Sequence, residues 1–207
     1  MQGSFVTDPQ PIADAGRELR RIVRINEEIK SVVSTAFRIN LMAMNAIFLA
    51  KRAGQSALGF GVLSNELRKF AADLQHQMST LREATYGGVA TITQALRQSR
   101  IDGLLERTRN LLDGAGVSKR GFALRNGDGG TEAMDEVGRN LSGLIQDTAR
   151  LVELGSVLAR SAKIEAAYGG AFSAALMQVS SDFEDTIGEI QSSLASLEKD
   201  KGEGQVE

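Results

Sequence analysis

The sequence predicts an all-α protein, an elongated antiparallel four-helix bundle or coiled coil made of two helical hairpins. Both prolines, Pro9 and Pro11, lie near the start of the 207-residue chain, and aromatic residues make up only 5% of it. Long proline-free stretches favour long helices. Apolar residues recur every seven positions along most of the chain, which indicates helices that pack along narrow apolar seams.

The first hairpin is predicted over residues 15–112, after a flexible leader at 1–14. Two interleaved heptad series form the seam of its first helix: Ile22, Ile25, Ile29, Val32, Ala36, Ile39, Ala43, Ala46, Ala50 and Ala53. The turn is predicted near 54–59, because Gly54 and Gly59 can adopt the positive φ of helix ends. The second helix would bury Phe60, Leu63, Leu67, Phe70, Leu74 and Leu81, with a candidate interruption at Gly87 and Gly88.

The second hairpin is predicted over residues 131–199, after a glycine-rich linker at 113–130 and before a polar tail at 200–207. Thr131 is a candidate N-cap for the third helix. The predicted seam of that helix is Met134, Val137, Leu141, Leu144, Leu151 and Leu158. A turn near 169–171, at Gly169 and Gly170, leads to a helix predicted to bury Leu176, Phe183, Ile187, Ile190, Leu194 and Leu197.

The two hairpins resemble each other in sequence around their turns. Five pairs carry the match: Asn45 with Ser161, Ala46 with Ala162, Leu49 with Glu165, Ala50 with Ala166, and Gly54 with Gly170. The second turn is expected to be about four residues shorter than the first. An internal duplication of this kind predicts that the two hairpins of one chain pack into one bundle.

The composition argues against several classes of function. A formal net charge of -2 gives no electrostatic case for binding nucleic acid. With no cysteine and one histidine, the chain has no thiolate nucleophile and few ligands for a zinc site. The glycine-rich linker lacks a phosphate-binding pattern, and Asp128 alone is too poor in oxygen ligands for calcium. We therefore expect no cofactor, no metal and no enzymatic activity.

The sequence also predicts a cytoplasmic location. No run of about 18 apolar residues is present, so no membrane span is expected. The first residues lack the basic-then-apolar order of a signal peptide.

The segment FRINLMAMNAIFLAKRAGQSALGFGVLSNELRKFA, residues 37–71, resembles the hairpin tip of the cytoplasmic signalling domain of methyl-accepting chemotaxis proteins. The matching residues are Asn40, Leu41, Ala43, Asn45, Ala46, Ala50, Arg52, Ala53, Gly54, Gly59, Phe60, Val62, Glu66, Arg68 and Ala71. The second hairpin resembles the same tip more weakly, through Ala162, Ile164, Glu165, Ala166, Ala167, Gly170 and Phe172.

The resemblance implies chemotaxis-type signal transduction through protein–protein contacts at the tip. The implied partners are a chemotaxis coupling protein and a histidine kinase, or other receptor-like bundles. The residues implied to bind them are Phe37, Leu41, Asn45, Leu49, Arg52, Val62, Asn65 and Glu66, with Glu165 and Tyr168 at the second tip. One chain would mimic a receptor dimer, so a monomeric bundle is favoured and a dimer is the alternative.

Departures from the family pattern leave other interpretations open. Leu49 and Gln55 replace the two glutamates of the family's tip, which puts kinase control in question. The chain could therefore be a structural or regulatory coiled-coil protein that kept only the tip fold. A phosphotransfer or ligand-binding bundle built around His76 is a further alternative. Core packing is the default expectation for Phe37, Leu49 and the methionines Met42 and Met44.

Overall fold

The structure is a computed structural model that describes residues 10–114 and 129–202. The α-helices are α1 (Gln10–Ala53), α2 (Leu58–Gly114), α3 (Gly129–Ala167) and α4 (Ser173–Gly202). Short 3-10 helices, Gly54–Ala57 and Gly170–Phe172, join α1 to α2 and α3 to α4. The prediction of an all-α fold is confirmed, since the described residues contain no strand. Residues 1–9 of the predicted leader, residues 115–128 of the predicted linker and residues 203–207 of the predicted tail lie outside the described residues.

Three helix boundaries differ from the sequence prediction. Helix α1 begins at Gln10, five residues before the predicted start at residue 15. Pro11 is compatible with this start, because the N–H groups of the first helical turn make no hydrogen bond within the helix. Helix α2 runs without interruption through the Gly87 and Gly88 positions. Helix α3 begins at Gly129, so Thr131 lies inside the helix and is not its N-cap.

The described chain divides into two compact units, the first formed by residues 10–23, 84–114 and 129–140 and the second by residues 24–83 and 141–202. In the first unit, α2 packs closely against its neighbours at Gly88. A methyl group at Gly88 would lie 2.7 Å from Cγ1 of Val137 and 3.6 Å from Cδ1 of Ile22. Ile92 is fully buried there. Glycine therefore allows α2 to approach α1 and α3 in this unit.

In the second unit, segments of all four helices form one bundle. Each helix contacts two others, through the pairs Ala50–Gly61 (α1 and α2), Phe70–Gly155 (α2 and α3), Lys163–Glu184 (α3 and α4) and Arg38–Glu189 (α1 and α4). Helices α1 and α3 therefore lie at opposite corners of the bundle. This arrangement agrees with two antiparallel hairpins packed on each other.

The apolar seams of α1, α2 and α4 are the ones that the heptads predict. Along α1 every predicted seam residue is buried except Ala53, which is half-buried. Along α2 and α4 the predicted residues are buried as well, apart from the half-buried Leu63. Alternating steps of three and four residues thus identify the core face of these helices correctly.

The predicted seam of α3 is confirmed at Leu141 and wrong at its other five positions, Met134, Val137, Leu144, Leu151 and Leu158, which are half-buried. Among its described side chains, α3 buries Leu141, Ile145, Thr148, Val152, Gly155, Ala159, Ala162 and Ala166. The leucines Leu144, Leu151 and Leu158 each lie one position before a residue of this buried line. Glycine occupies position 155 of the line, where the ring of Phe70 from α2 lies directly against the backbone.

The duplication holds at a constant spacing of 116 residues, through the turns as well. Gly54 and Gly170 both have positive φ, 69° and 57°. Ten residues beyond each of them, Ser64 and Ser180 are fully buried, and their hydroxyls donate to the carbonyl oxygens four residues earlier at 2.8 and 2.9 Å. The prediction of a shorter second turn is therefore wrong.

Within Leu19–Leu111, which includes most of α1 and α2, one stretch of helix is long and apolar enough to cross a membrane by length and composition alone. This is weak evidence for a span, because a core helix of a soluble protein can pass the same test. The predicted lack of a membrane span accordingly stays a prediction.

Candidate docking surface beside the hairpin turns

Four large apolar side chains lie exposed on one face of α1, and we call them the α1 stripe. They are Phe37, Leu41, Met44 and Phe48, with 53%, 45%, 39% and 60% of their surface exposed. Steps of four, three and four residues keep them on one face over roughly 16 Å. At 3.6 residues per turn this face points about 160° away from the buried seam. The α1 stripe therefore faces away from the bundle core.

The α1 stripe explains why residues 39–50 are apolar around the whole helix. The seam uses Ile39, Ala43, Ala46 and Ala50 on one side, and the stripe occupies the opposite side. Ile47 and Leu49 lie between the two faces and are half-buried. Core packing is thus the wrong expectation for Phe37 and for Met44, whereas Leu49 is neither core nor freely exposed.

Polar and basic residues border the α1 stripe near the turn. Asn45 and Arg52 are both exposed beside it, and Lys51 and Arg52 form the last turn of α1. Cations at a helix C-terminus interact favourably with the helix dipole. The stripe therefore ends in positive charge where α1 meets the turn.

The start of α2 supplies exposed apolar side chains and polar residues whose side chains already have partners. Leu58 and Val62 are 60% and 62% exposed. The Asn65 amide donates to the carbonyl oxygen of Gly61 at 3.2 Å. Glu66 accepts a hydrogen bond from Lys69 at 2.7 Å. Val62, Asn65 and Glu66 are thus surface residues of one helix, on a different element from the α1 stripe.

The four predicted turn glycines have different surroundings. Gly54 is exposed and its φ is positive, and a methyl group there would meet nothing within 4 Å. Gly169 is buried, and a methyl group would overlap Leu176. At Gly170 a methyl group would lie 3.7 Å from Oγ of Ser56. The two turns therefore lie side by side at one end of the bundle.

The two residues predicted for the second tip have separate roles. The carboxyl group of Glu165 lies against the Cα of Gly59, where a methyl group would overlap it. Tyr168 is 72% exposed at the end of α3. The structure therefore brings Glu165 to the first turn, whereas Tyr168 projects into solvent.

A second exposed apolar face lies along α3 and the residue that follows it, and of its four residues the sequence prediction placed only Tyr168 at a candidate site. It consists of Leu154, Val157, Ile164 and Tyr168, which are 54%, 53%, 64% and 72% exposed. Like the α1 stripe, it lies opposite the buried line of its own helix. The spacing of 116 residues relates Leu41 to Val157 and Phe48 to Ile164. This relation between the two hairpins is the signal in the sequence from which the exposed face of α3 could have been predicted.

Ion pairs join the helices of this unit. Nη1 and Nη2 of Arg38 donate to the two carboxyl oxygens of Glu189 at 2.8 and 3.3 Å. Nζ of Lys163 donates to Oε2 of Glu184 at 2.7 Å, and this hydrogen bond, with the positive charge, lowers the pKa of Glu184. Both pairs connect neighbouring helices, so their evident role is structural.

Within the described part of the chain, no group of three His, Cys, Asp or Glu side chains is placed to hold a metal ion. His76 is exposed on α2, and its backbone carbonyl accepts a hydrogen bond from Thr80 at 3.3 Å.

The chain is similar in sequence to two known proteins. Over 129 residues it is 30% identical to the methyl-accepting chemotaxis protein TlpQ of Pseudomonas aeruginosa, and the matched segment makes up 60% of this chain and 15% of TlpQ. Over 63 residues it is 36% identical to a putative sensory transducer protein of Acetivibrio thermocellus, and the matched segment makes up 30% of this chain and 10% of that protein. Part of this chain is therefore weakly homologous to a methyl-accepting chemotaxis protein and to a putative sensory transducer protein.

The homology is weak and partial, so it supports the resemblance to methyl-accepting chemotaxis proteins at the level of the family. It does not by itself assign the hairpin tip. The chain spans less than a sixth of the length of these two relatives. No protein-family model matches the chain. No solved structure matches it either.

Proposed function

We propose that this protein is a chemoreceptor-like scaffold in cytoplasmic chemotaxis-type signal transduction. It would act through protein–protein contacts beside the hairpin turns and carry out no chemistry of its own. The observation that carries this proposal is the α1 stripe, four large apolar side chains that face away from the core. Contiguous exposed apolar patches mark interaction sites, whereas scattered exposed apolar residues do not.

The proposed partners are a chemotaxis coupling protein and a histidine kinase, or another receptor-like bundle. Aromatic residues are enriched at interfaces, and Phe37 and Phe48 lie at the two ends of the stripe. Arg52 beside the stripe would add a charged contact. Because one chain supplies four packed helices, we propose a monomer, with a dimer as the alternative.

The proposal can be tested by measuring binding of full-length protein to a purified chemotaxis coupling protein and histidine kinase. Phe48→Ser should reduce binding about tenfold or more, since an interface aromatic contributes on this scale. Val23→Ser is the matched control, because Val23 is equally exposed (63% against 60%) but lies in the other unit. Equal binding by both variants and the wild type would contradict the proposed docking surface.

A second candidate function is regulation without kinase control. The observation that favours it is Leu49, which lies at the position equivalent to Glu165 and removes the charge of the family's tip. In this case the protein would bind a receptor-like bundle and leave kinase activity unchanged. Leu49→Glu distinguishes the two functions. If this variant controls kinase activity and the wild type does not, regulation without kinase control is the function of the wild type.

A further inference from the structure

The inner faces of the two hairpins differ where they meet. Hairpin 1 comprises residues 24–83 and hairpin 2 residues 141–202, both in the second unit. We infer that these faces select the pairing of hairpin 1 with hairpin 2 over the pairing of two identical hairpins. The fitting partner for each inner face is thus the other hairpin of this chain, and not a second copy of itself. This inference does not depend on the docking surface proposed above.

The contact between Phe70 and Gly155 is the main observation. Phe70 of α2 is 3% exposed, and its ring lies directly against the backbone of α3 at Gly155. A methyl group at Gly155 would lie 2.5, 2.8 and 2.9 Å from Cζ, Cε2 and Cε1 of that ring. Carbon atoms in contact lie about 3.5–4.0 Å apart, so a side chain at position 155 would require the Phe70 ring to move.

At the equivalent position on the other side of the bundle, a smaller residue replaces Phe70 and a larger residue replaces Gly155. The spacing of 116 residues relates Phe70 to Thr186 and Gly155 to Ile39. Thr186 and Ile39 are 2% and 0% exposed. Nη2 of Arg38, the neighbour of Ile39, donates to Oγ1 of Thr186 at 3.4 Å, which confirms that these segments of α1 and α4 meet. Phe70 of α2 thus packs on a glycine of α3, whereas the equivalent residues of α4 and α1, Thr186 and Ile39, are both of medium size and lie on facing segments.

Two identical hairpins would combine these residues badly. Hairpin 1 paired with itself would place Phe70 opposite Ile39 twice, which overpacks the core. Hairpin 2 paired with itself would place Thr186 opposite Gly155 twice, which leaves two cavities. Only the pairing of hairpin 1 with hairpin 2 gives both contacts a fitting volume.

A second contact, near the turns, also favours the pairing of hairpin 1 with hairpin 2. The carboxyl group of Glu165 in hairpin 2 occupies the space beside Gly59 in hairpin 1. The residue equivalent to Gly59 in hairpin 2 is Ala175, whose methyl group would fill that space. Two copies of hairpin 2 would therefore bring Glu165 against Ala175, whereas the observed pairing leaves room for the carboxyl group.

The test exchanges residues between the equivalent sites of the full-length chain. The double variant Phe70→Thr/Thr186→Phe keeps the composition but mismatches the two hairpins of one chain, and each hairpin now fits a copy of itself. The quadruple variant adds Ile39→Gly and Gly155→Ile, which restores both contacts within one chain. Helix propensity is balanced in the quadruple variant, because one glycine is lost and one is gained.

The inference predicts that the double variant melts several degrees below the wild type and that the quadruple variant regains at least half of this loss. On light scattering at protein concentrations up to about 1 mM, the double variant should associate between chains more strongly than the other two proteins. A double variant that melts like the wild type, a quadruple variant without this recovery, or equal association of all three proteins would overturn the inference.

Discussion

At the scale of single residues, Gly155 and Gly143 lie on the same helix in very different surroundings. A methyl group at Gly155 would overlap the Phe70 ring, whereas one at Gly143 would meet nothing within 4 Å. Gly143→Ala should therefore stabilise the protein by about 0.5–1 kcal/mol, the usual gain in helix propensity. Gly155→Ala should instead destabilise it by about 1–3 kcal/mol through overpacking. Urea unfolding of the two variants measures the difference, and equal stabilities would contradict the close contact at Gly155.

The exposure of individual residues was only partly predictable from the sequence. The seam of α1 followed from its spacing, because every third or fourth residue is apolar. The exposure of Phe37 did not follow, because a large apolar residue is expected in the core by default even where it lies outside the heptad seam. Phe37 is in fact 53% exposed, on the side of α1 that faces away from the buried Ala43 and Ala46.

At the scale of elements, the first turn depends on a residue with positive φ. Gly54 has a φ of 69° and no neighbour within 4 Å of an added methyl group, so Gly54→Ala tests backbone strain alone. This variant should lose about 1–2 kcal/mol of unfolding free energy, because residues with a Cβ disfavour left-handed backbone geometry. The control is Gly87→Ala, which is equally open but has a helical backbone and should not destabilise the protein. A Gly54→Ala protein as stable as the wild type would contradict the observed turn.

The contact of α3 with α4 includes the pair Lys163–Glu184, which makes a prediction on pH. Because the hydrogen bond and charge of Lys163 hold the pKa of Glu184 below its ordinary value, this pair stabilises the folded state at pH values above that ordinary pKa. The contribution is lost as the pH falls through the folded-state pKa, and it is small because both side chains are partly exposed. In an NMR titration, Lys163→Ala should raise the pKa of Glu184 towards its usual value, and Lys163→Arg should leave it low. An unchanged pKa in Lys163→Ala would contradict the contact.

The helices were more predictable than their detailed packing. Period and proline placement located all four helices and both turns to within a few residues. The seam of α3 was misplaced at Leu144, Leu151 and Leu158, because these leucines were taken as core although the next residues, Ile145, Val152 and Ala159, are the buried ones. Gly155 could not be recognised as a core position, since a glycine carries no apolar signal and its burial follows from the Phe70 ring of another helix.

At the scale of the whole molecule, the duplication is the property that gives the chain its two hairpins. Equivalent residues kept the fold: Gly54 and Gly170 in the turns, Ser64 and Ser180 in the core. Other equivalent residues diverged, such as Leu49 and Glu165. The similarity of the hairpins was visible in the sequence, but the contacts between them were not, since they join residues more than 80 positions apart.

The central claim of this account is that the two hairpins of one chain pair with each other. Arg38 and Glu189 meet across the hairpins, at 2.8 Å between Nη1 and Oε2, and among the described residues there is no cysteine. The most direct measurement is therefore the mass of Arg38→Cys/Glu189→Cys protein after reaction with a short bis-maleimide at low micromolar concentration. The account predicts a cross-link within one chain and the mass of a single chain. Cross-linked dimers as the main product would contradict it.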